Sequence, residues 1–96
     1  MRNVSVNPIT QGSTDSKYYN FDFSLNGTPD SASCSLIDMS TNQAGGNLIG
    51  SPVINGKVVT TPMVIGLVAA KKYRLICSAS ISGNEISGYV DIVGEL

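Results

Sequence analysis

The chain contains no histidine, and its only two cysteines, Cys34 and Cys77, lie far apart in the sequence. Without histidine it lacks the side chain that most often serves as general base or as a metal-binding imidazole. Two thiols with no imidazole supply at most half of a tetrahedral zinc site, and their wide spacing excludes a Cys-x-x-Cys redox motif. No Gly-rich phosphate loop ending in Gly-Lys-Ser/Thr occurs either. These absences argue against hydrolase, redox and nucleotide chemistry, so no enzymatic activity and no cofactor or metal are expected.

Charge is scarce as well. Charged residues make up 14% of the chain, and 6 Lys+Arg against 7 Asp+Glu leave a formal net charge of −1. A chain so nearly neutral has no long-range field to draw it to nucleic acid or to an anionic membrane. Lys71, Lys72 and Arg74 form its one basic cluster. Because Lys72 and Arg74 alternate with apolar neighbours, the cluster reads as a solvated sheet face and turn. No apolar run approaches the roughly 18 residues of a membrane span, and Met1 to Pro8 has no signal-peptide core. The expectation is a soluble protein made in the cytoplasm.

What the chain does have is alternation. Its 96 residues, 42% of them hydrophobic, suffice for one domain with one core. Tyr19, Phe21, Phe23 and Leu25 alternate with Tyr18, Asn20, Asp22 and Ser24; Tyr73, Leu75, Cys77, Ala79 and Ile81 alternate with Lys72, Arg74, Ile76, Ser78 and Ser80. Period two means strands with one sheltered face. Asn26-Gly27, Asn55-Gly56 and Ser82-Gly83-Asn84 are turn signals, the second flanked by apolar pairs as in a hairpin. Helical periodicity is absent. Seven strands are expected, near Asn3 to Ile9, Tyr18 to Leu25, Ala32 to Met39, Leu48 to Ile54, Lys57 to Ile65, Lys72 to Ile81 and Glu85 to Val93, with irregular stretches from Thr10 to Lys17 and from Ser40 to Gly46. This spacing, with no helix between strands, predicts an all-β antiparallel sandwich of the immunoglobulin or fibronectin type III kind. Residues 1–16 would form its first strand and arm, and residues 17–96 the rest of the single domain.

Particular residues carry roles in that reading. Leu67 lies six residues before Tyr73, the spacing of a sandwich corner in which the Tyr hydroxyl bonds backbone upstream and the Leu packs beneath the ring. Cys34 and Cys77 fall in phase with inward apolar residues on the third and sixth strands, neighbours in one sheet. An inter-sheet bridge would need the second and sixth, so two buried free thiols are expected. The seven carboxylates, Asp15, Asp22, Asp30, Asp38, Glu85, Asp91 and Glu95, are scattered and suggest no catalytic pair. Ile37, Ile76 and Tyr89 fall on the outward phase of adjacent strands, with Ser35, Ser78, Ser87 and Asp91 around them. An apolar patch with a polar rim is the pattern of a protein-docking face. The arm through Lys17 is a second candidate, able to pair with an open sheet edge of a neighbour.

The runs Tyr19 to Ser24, Asp30 to Cys34 and Gly66 to Cys77, with the Ser-Gly turn before the last strand, resemble the small immunoglobulin- or fibronectin type III-like proteins encoded among the structural genes of tailed bacteriophages. The resemblance covers Lys17 to Val93, and departs from that group in having Phe23 where a Trp is common. It implies a virion component: a fibre-to-tail adaptor, a head–tail joining or neck protein, or a capsid decoration. Its partners would be capsid, portal, neck, tail or fibre proteins, met by multiple symmetric copies. The rival expectation is a carbohydrate- or host-surface-binding module on the same scaffold.

Overall fold

In the computed structural model, residues 9–95 are described in full and residues 2–3 by their backbone. They form no helix. The strands are β1 (Arg2–Asn3), β2 (Ile9–Gly12), β3 (Asn20–Asp22), β4 (Ser31–Asp38), β5 (Gln43–Ala44), β6 (Asn47–Ile49), β7 (Val53–Asn55), β8 (Val58–Thr60), β9 (Met63–Ile65), β10 (Lys72–Ile81) and β11 (Asn84–Glu95). The fold is therefore all-β, as the alternation predicts.

A six-stranded sheet runs β1-β11-β10-β4-β5, with β2 also paired to β11. Its centre is the long hairpin of β10 and β11, in register from Lys72↔Val93 to Ile81↔Asn84. Ser82 and Gly83 close that hairpin at φ 51° and 81°. Positive φ at both central residues is what a type I′ turn requires, and its twist matches that of the flanking strands. β3, β8 and β7 make a second sheet, and β6 pairs with β9 in a third.

Alternation places the core between these sheets. On β10 every second residue, Tyr73, Leu75, Cys77, Ala79 and Ile81, is buried. They join Leu36, Val90 and Ile92 of the large sheet and Phe21, Phe23, Val59, Val64 and Leu67 in one apolar cluster. Leu67 and Tyr73 flank a corner in which Ala70 takes φ 68°. That conformation costs a non-glycine residue about 1–2 kcal/mol, whereas burying a Leu side chain gains about 1.5–3 kcal/mol. Burial on both sides of the corner thus outweighs its strain.

Several expected boundaries are corrected. The strand from Leu48 to Ile54 is broken at Gly50, Ser51 and Pro52, so β6 and β7 belong to different sheets. The strand from Lys57 to Ile65 is likewise broken at Thr61 and Pro62, because a proline cannot donate to the ladder. Leu25, expected inward, is 83% exposed: β3 ends at Asp22 and the chain turns, with Asn26 and Gly27 N–H groups both bonding the Phe23 carbonyl. The stretch from Ser40 to Gly46 contains β5, paired to Ile37 and Asp38. Of the expected first strand, positions 4–8 lie outside the described residues. Ile9 ends the expected first strand and Thr10 begins the expected irregular stretch, but Ile9 to Gly12 form β2, parallel to β11, and so are part of the chain's own sheet rather than a free arm.

Candidate protein-docking face

The face of the large sheet turned away from the core is set by the phase of β10. With Leu75 and Cys77 buried, Ile76 projects to the opposite side and is half-buried. Directly across from it on β11 is Tyr89, and directly across on β4 is Ser35. Ile37 lies opposite Arg74, one row further along, and so meets Ile76 diagonally. Ile37 and Tyr89 are half-buried as well. The structure therefore brings all three sequence-selected residues to one face, with Ile76 and Tyr89 side by side.

Arg74 changes the character of that face. Its guanidinium carbon lies 4.1 Å from the centre of the Tyr89 ring. Nε and Nη2 donate to the two Asp91 carboxylate oxygens at 2.9 and 3.3 Å. The Asp91 hydrogen bonds raise the Arg74 pKa further above its ordinary value. The surface is therefore composite: two isoleucines, an aromatic ring capped by a fixed cation, and a paired carboxylate. Ser78 and Ser87, expected on the rim, face each other with hydroxyls 2.7 Å apart and satisfy one another.

The corner residues serve the scaffold. Leu67 and Tyr73 are buried, and the Val68 N–H donates to the Tyr73 hydroxyl at 2.9 Å. Gly45 permits close approach here, since a Cβ on it would meet the Asp38 Cβ at 2.7 Å and the Tyr73 ring at 3.2 Å. Both cysteines are free; Cys77 is buried, but Cys34, expected to be buried, is only half so. The reason is its position: β5 covers β4 only at Ile37 and Asp38, so β4 is a sheet edge at Cys34.

Three buried polar residues escaped sequence reasoning: Gln11, Asp38 and Thr61. Gln11 donates to the Val64 carbonyl at 2.8 Å and to the Asp15 carbonyl at 3.1 Å, and accepts from the Tyr19 hydroxyl at 2.6 Å. Burial, with Asp15 nearby, pushes the Tyr19 phenol up to about 12, so it remains a donor in neutral solution. Thr61 Oγ1 accepts the Tyr19 N–H at 3.1 Å and donates to the Pro62 carbonyl at 3.0 Å. The Ser40 hydroxyl and N–H hold the Asp38 carboxyl below the usual carboxylate range, and Lys71 pairs with it at 3.2 Å. The signal for Asp38 was available: it sits in the inward phase of β4, two residues beyond Leu36.

Other carboxylates also have local partners. Asp15 accepts the Gly12 N–H at 3.0 Å, and Asp22 accepts the Ser24 N–H at 2.8 Å, a bond that lowers its pKa. An open depression of about 450 Å³ is lined by Met39, Ser40, Ala70, Lys71 and Lys72. Among the described residues, no group of three or more Cys, Asp or Glu side chains is placed to hold a metal ion. Comparison with family models, with curated proteins and with solved structures returns no match to this chain.

Proposed function

We propose that the chain is a seven-stranded immunoglobulin-like β-sandwich that serves as a non-enzymatic structural module of a tailed-phage particle, docking through Ile37, Ile76 and Tyr89. The strand pairing supports the architectural part. β6–β7 and β8–β9 each cross between the two small sheets at a break; counting each as one crossing strand, β1 and β2 together because both pair with β11, and β5 as a short addition leaves seven strands around one core. Such an arrangement is the usual count for this kind of domain.

The observation that carries the docking role is Ile76 beside Tyr89 in the middle of the large sheet, on its outer side. Interface centres are enriched in Tyr and Arg, held rigid and surrounded by groups that exclude water. Here the ring is covered by the Arg74 guanidinium, which Asp91 holds in turn, a contact that lowers the side-chain entropy lost on docking. Many copies on a symmetric shell or ring act at high effective concentration, which allows each contact to be modest. The partner is a capsid, portal, neck, tail or fibre protein, and the chain resides in the virion.

Co-expression with the capsid, neck and tail genes of a tailed phage, followed by particle purification, tests the proposal. Wild-type protein is expected to co-purify with the particles. Ile76→Asp combined with Tyr89→Ser should retain the circular dichroism spectrum of the fold and be lost from them. Full occupancy by the variant would rule out this face. Absence of the wild-type chain from particles, with retention on a glycan array, would favour a carbohydrate-binding module instead.

A further inference from the structure

Cys34 and Cys77 are directly opposite each other on antiparallel neighbours. The register from Ser31↔Ser80 to Asp38↔Tyr73 is unbroken, and one step beyond it the Met39 N–H donates to the Lys72 carbonyl at 3.0 Å. Antiparallel pairs alternate between hydrogen-bonded and non-hydrogen-bonded sites. If Met39 and Lys72 form a bonded pair, the bonded pairs continue at Ile37–Arg74 and Ser35–Ile76. Cys34 and Cys77 then fall on a non-bonded site. At such a site the two Cα atoms are about 4.5 Å apart and the side chains approach most closely, within the roughly 4.4–6.8 Å that a disulfide spans. The two differ in burial: Cys34 is half-buried at the uncovered edge of β4, while Cys77 is fully buried inside the sheet between β4 and β11.

We propose that Cys34 and Cys77 are a redox-modifiable pair, which a small-molecule disulfide such as glutathione disulfide converts into a cross-strand disulfide within the folded sheet. The reactivity of the two thiols is unequal in the right sense. Hydrogen bonding from Cys77 lowers the Cys34 pKa below the ordinary thiol value, while the same interaction and burial raise that of Cys77. The more acidic, more accessible thiol is the one that meets the oxidant first.

The chemistry balances in two exchanges. The Cys34 thiolate attacks one sulfur of glutathione disulfide; a Cys34–glutathione bond forms, the glutathione disulfide bond breaks, and one glutathione departs and takes up the proton that Cys34 lost. Cys77 then gives its proton to solvent and attacks the Cys34 sulfur. The Cys34–Cys77 bond forms, the mixed disulfide breaks, and the second glutathione leaves with a proton. Two protein thiols are oxidised and one glutathione disulfide is reduced to two glutathiones. Once the Cys34 sulfur is held in the mixed disulfide it bears no charge of its own, so the thiolate that opposed ionisation of Cys77 is gone.

The test is incubation of the native protein with excess glutathione disulfide, followed by alkylation and mass spectrometry. The intact chain should lose the mass of two hydrogen atoms, lose both free thiols together, stay monomeric on a non-reducing gel and revert with dithiothreitol. Trypsin cuts after Lys17, Lys57 and Arg74, so the bond should join the peptide Tyr18 to Lys57 to the peptide Leu75 to Leu96. Cys77→Ser should stop at glutathione on Cys34, and Cys34→Ser should leave Cys77 unmodified. The proposal is overturned if the wild-type protein stops at the mixed disulfide, forms disulfide-linked dimers, or keeps both thiols until denatured. Should either variant fail to fold, the wild-type time course decides alone: the Cys34 adduct must appear first and decay into the linked form.

Discussion

Tyr73 joins packing to hydrogen bonding within one side chain. Its ring is 1% exposed, and its hydroxyl takes the Val68 N–H, a donor in a corner whose backbone has no ladder partner there. Tyr73→Phe keeps the ring and removes the acceptor, leaving that N–H unsatisfied in a partly buried place. The expected loss is about 1–3 kcal/mol in chemical denaturation, with the outer sheet face unchanged. An unaltered midpoint would mean that the hydroxyl contributes nothing to the corner. The spacing from Leu67 to Tyr73 made this pair legible in the sequence. Gln11 was not legible, because nothing local marks a glutamine in a polar stretch as the residue that bridges β2 to the Val64 carbonyl. Its burial follows from a long-range approach that only the folded chain reveals. With Tyr19, Val64 and Asp15 as partners it is fully engaged, and no buried side-chain nitrogen or oxygen among the described residues lacks a hydrogen bond.

At the scale of elements, β10 and β11 were legible in the sequence, because ten residues of alternation on β10 and the alternation from Gly88 to Gly94 on β11 leave one consistent phase. The strands around Pro52 and Pro62 were less so. Their apolar content suggested continuity, but the missing N–H of each proline, with the positive φ of Gly50 in the first stretch, divides them. A two-residue strand such as β5 has too little pattern to be read at all. Gly94 shows how tightly the corner seats on β11. Its N–H donates to the Lys71 carbonyl and its carbonyl accepts from the Ala70 N–H, both at 2.9 Å, and a Cβ there would collide with the Val68 carbonyl oxygen. Because the obstacle is backbone, it cannot rotate aside. Gly94→Ala is expected to cost about 1–3 kcal/mol, the range for overpacking a close-packed site. Thermal unfolding measures it; an unchanged melting temperature would show that the corner can slide on the strand.

For the whole molecule, the same alternation that builds the core also determines what is left outside. Sheltering Leu75 and Cys77 commits Ile76 to the other face, and pairing commits Tyr89 to lie beside it. The sequence could place these residues on one face, but not Arg74 over the ring, since that contact depends on a side-chain torsion as well as register. Apolar exposure is greater elsewhere, at Val53 and Ile54 on the edge strand β7 and at Tyr18. Those residues provide an internal comparison for the docking proposal. Hydroxyl-radical footprinting of the free chain and of the chain assembled on particles tests it most directly. Docking through this face should protect Tyr89 and Ile76 on assembly while Tyr18, Val53 and Ile54 label as before. Unchanged labelling at Tyr89 and Ile76, with protection of the β7 edge or of Tyr18, would contradict it.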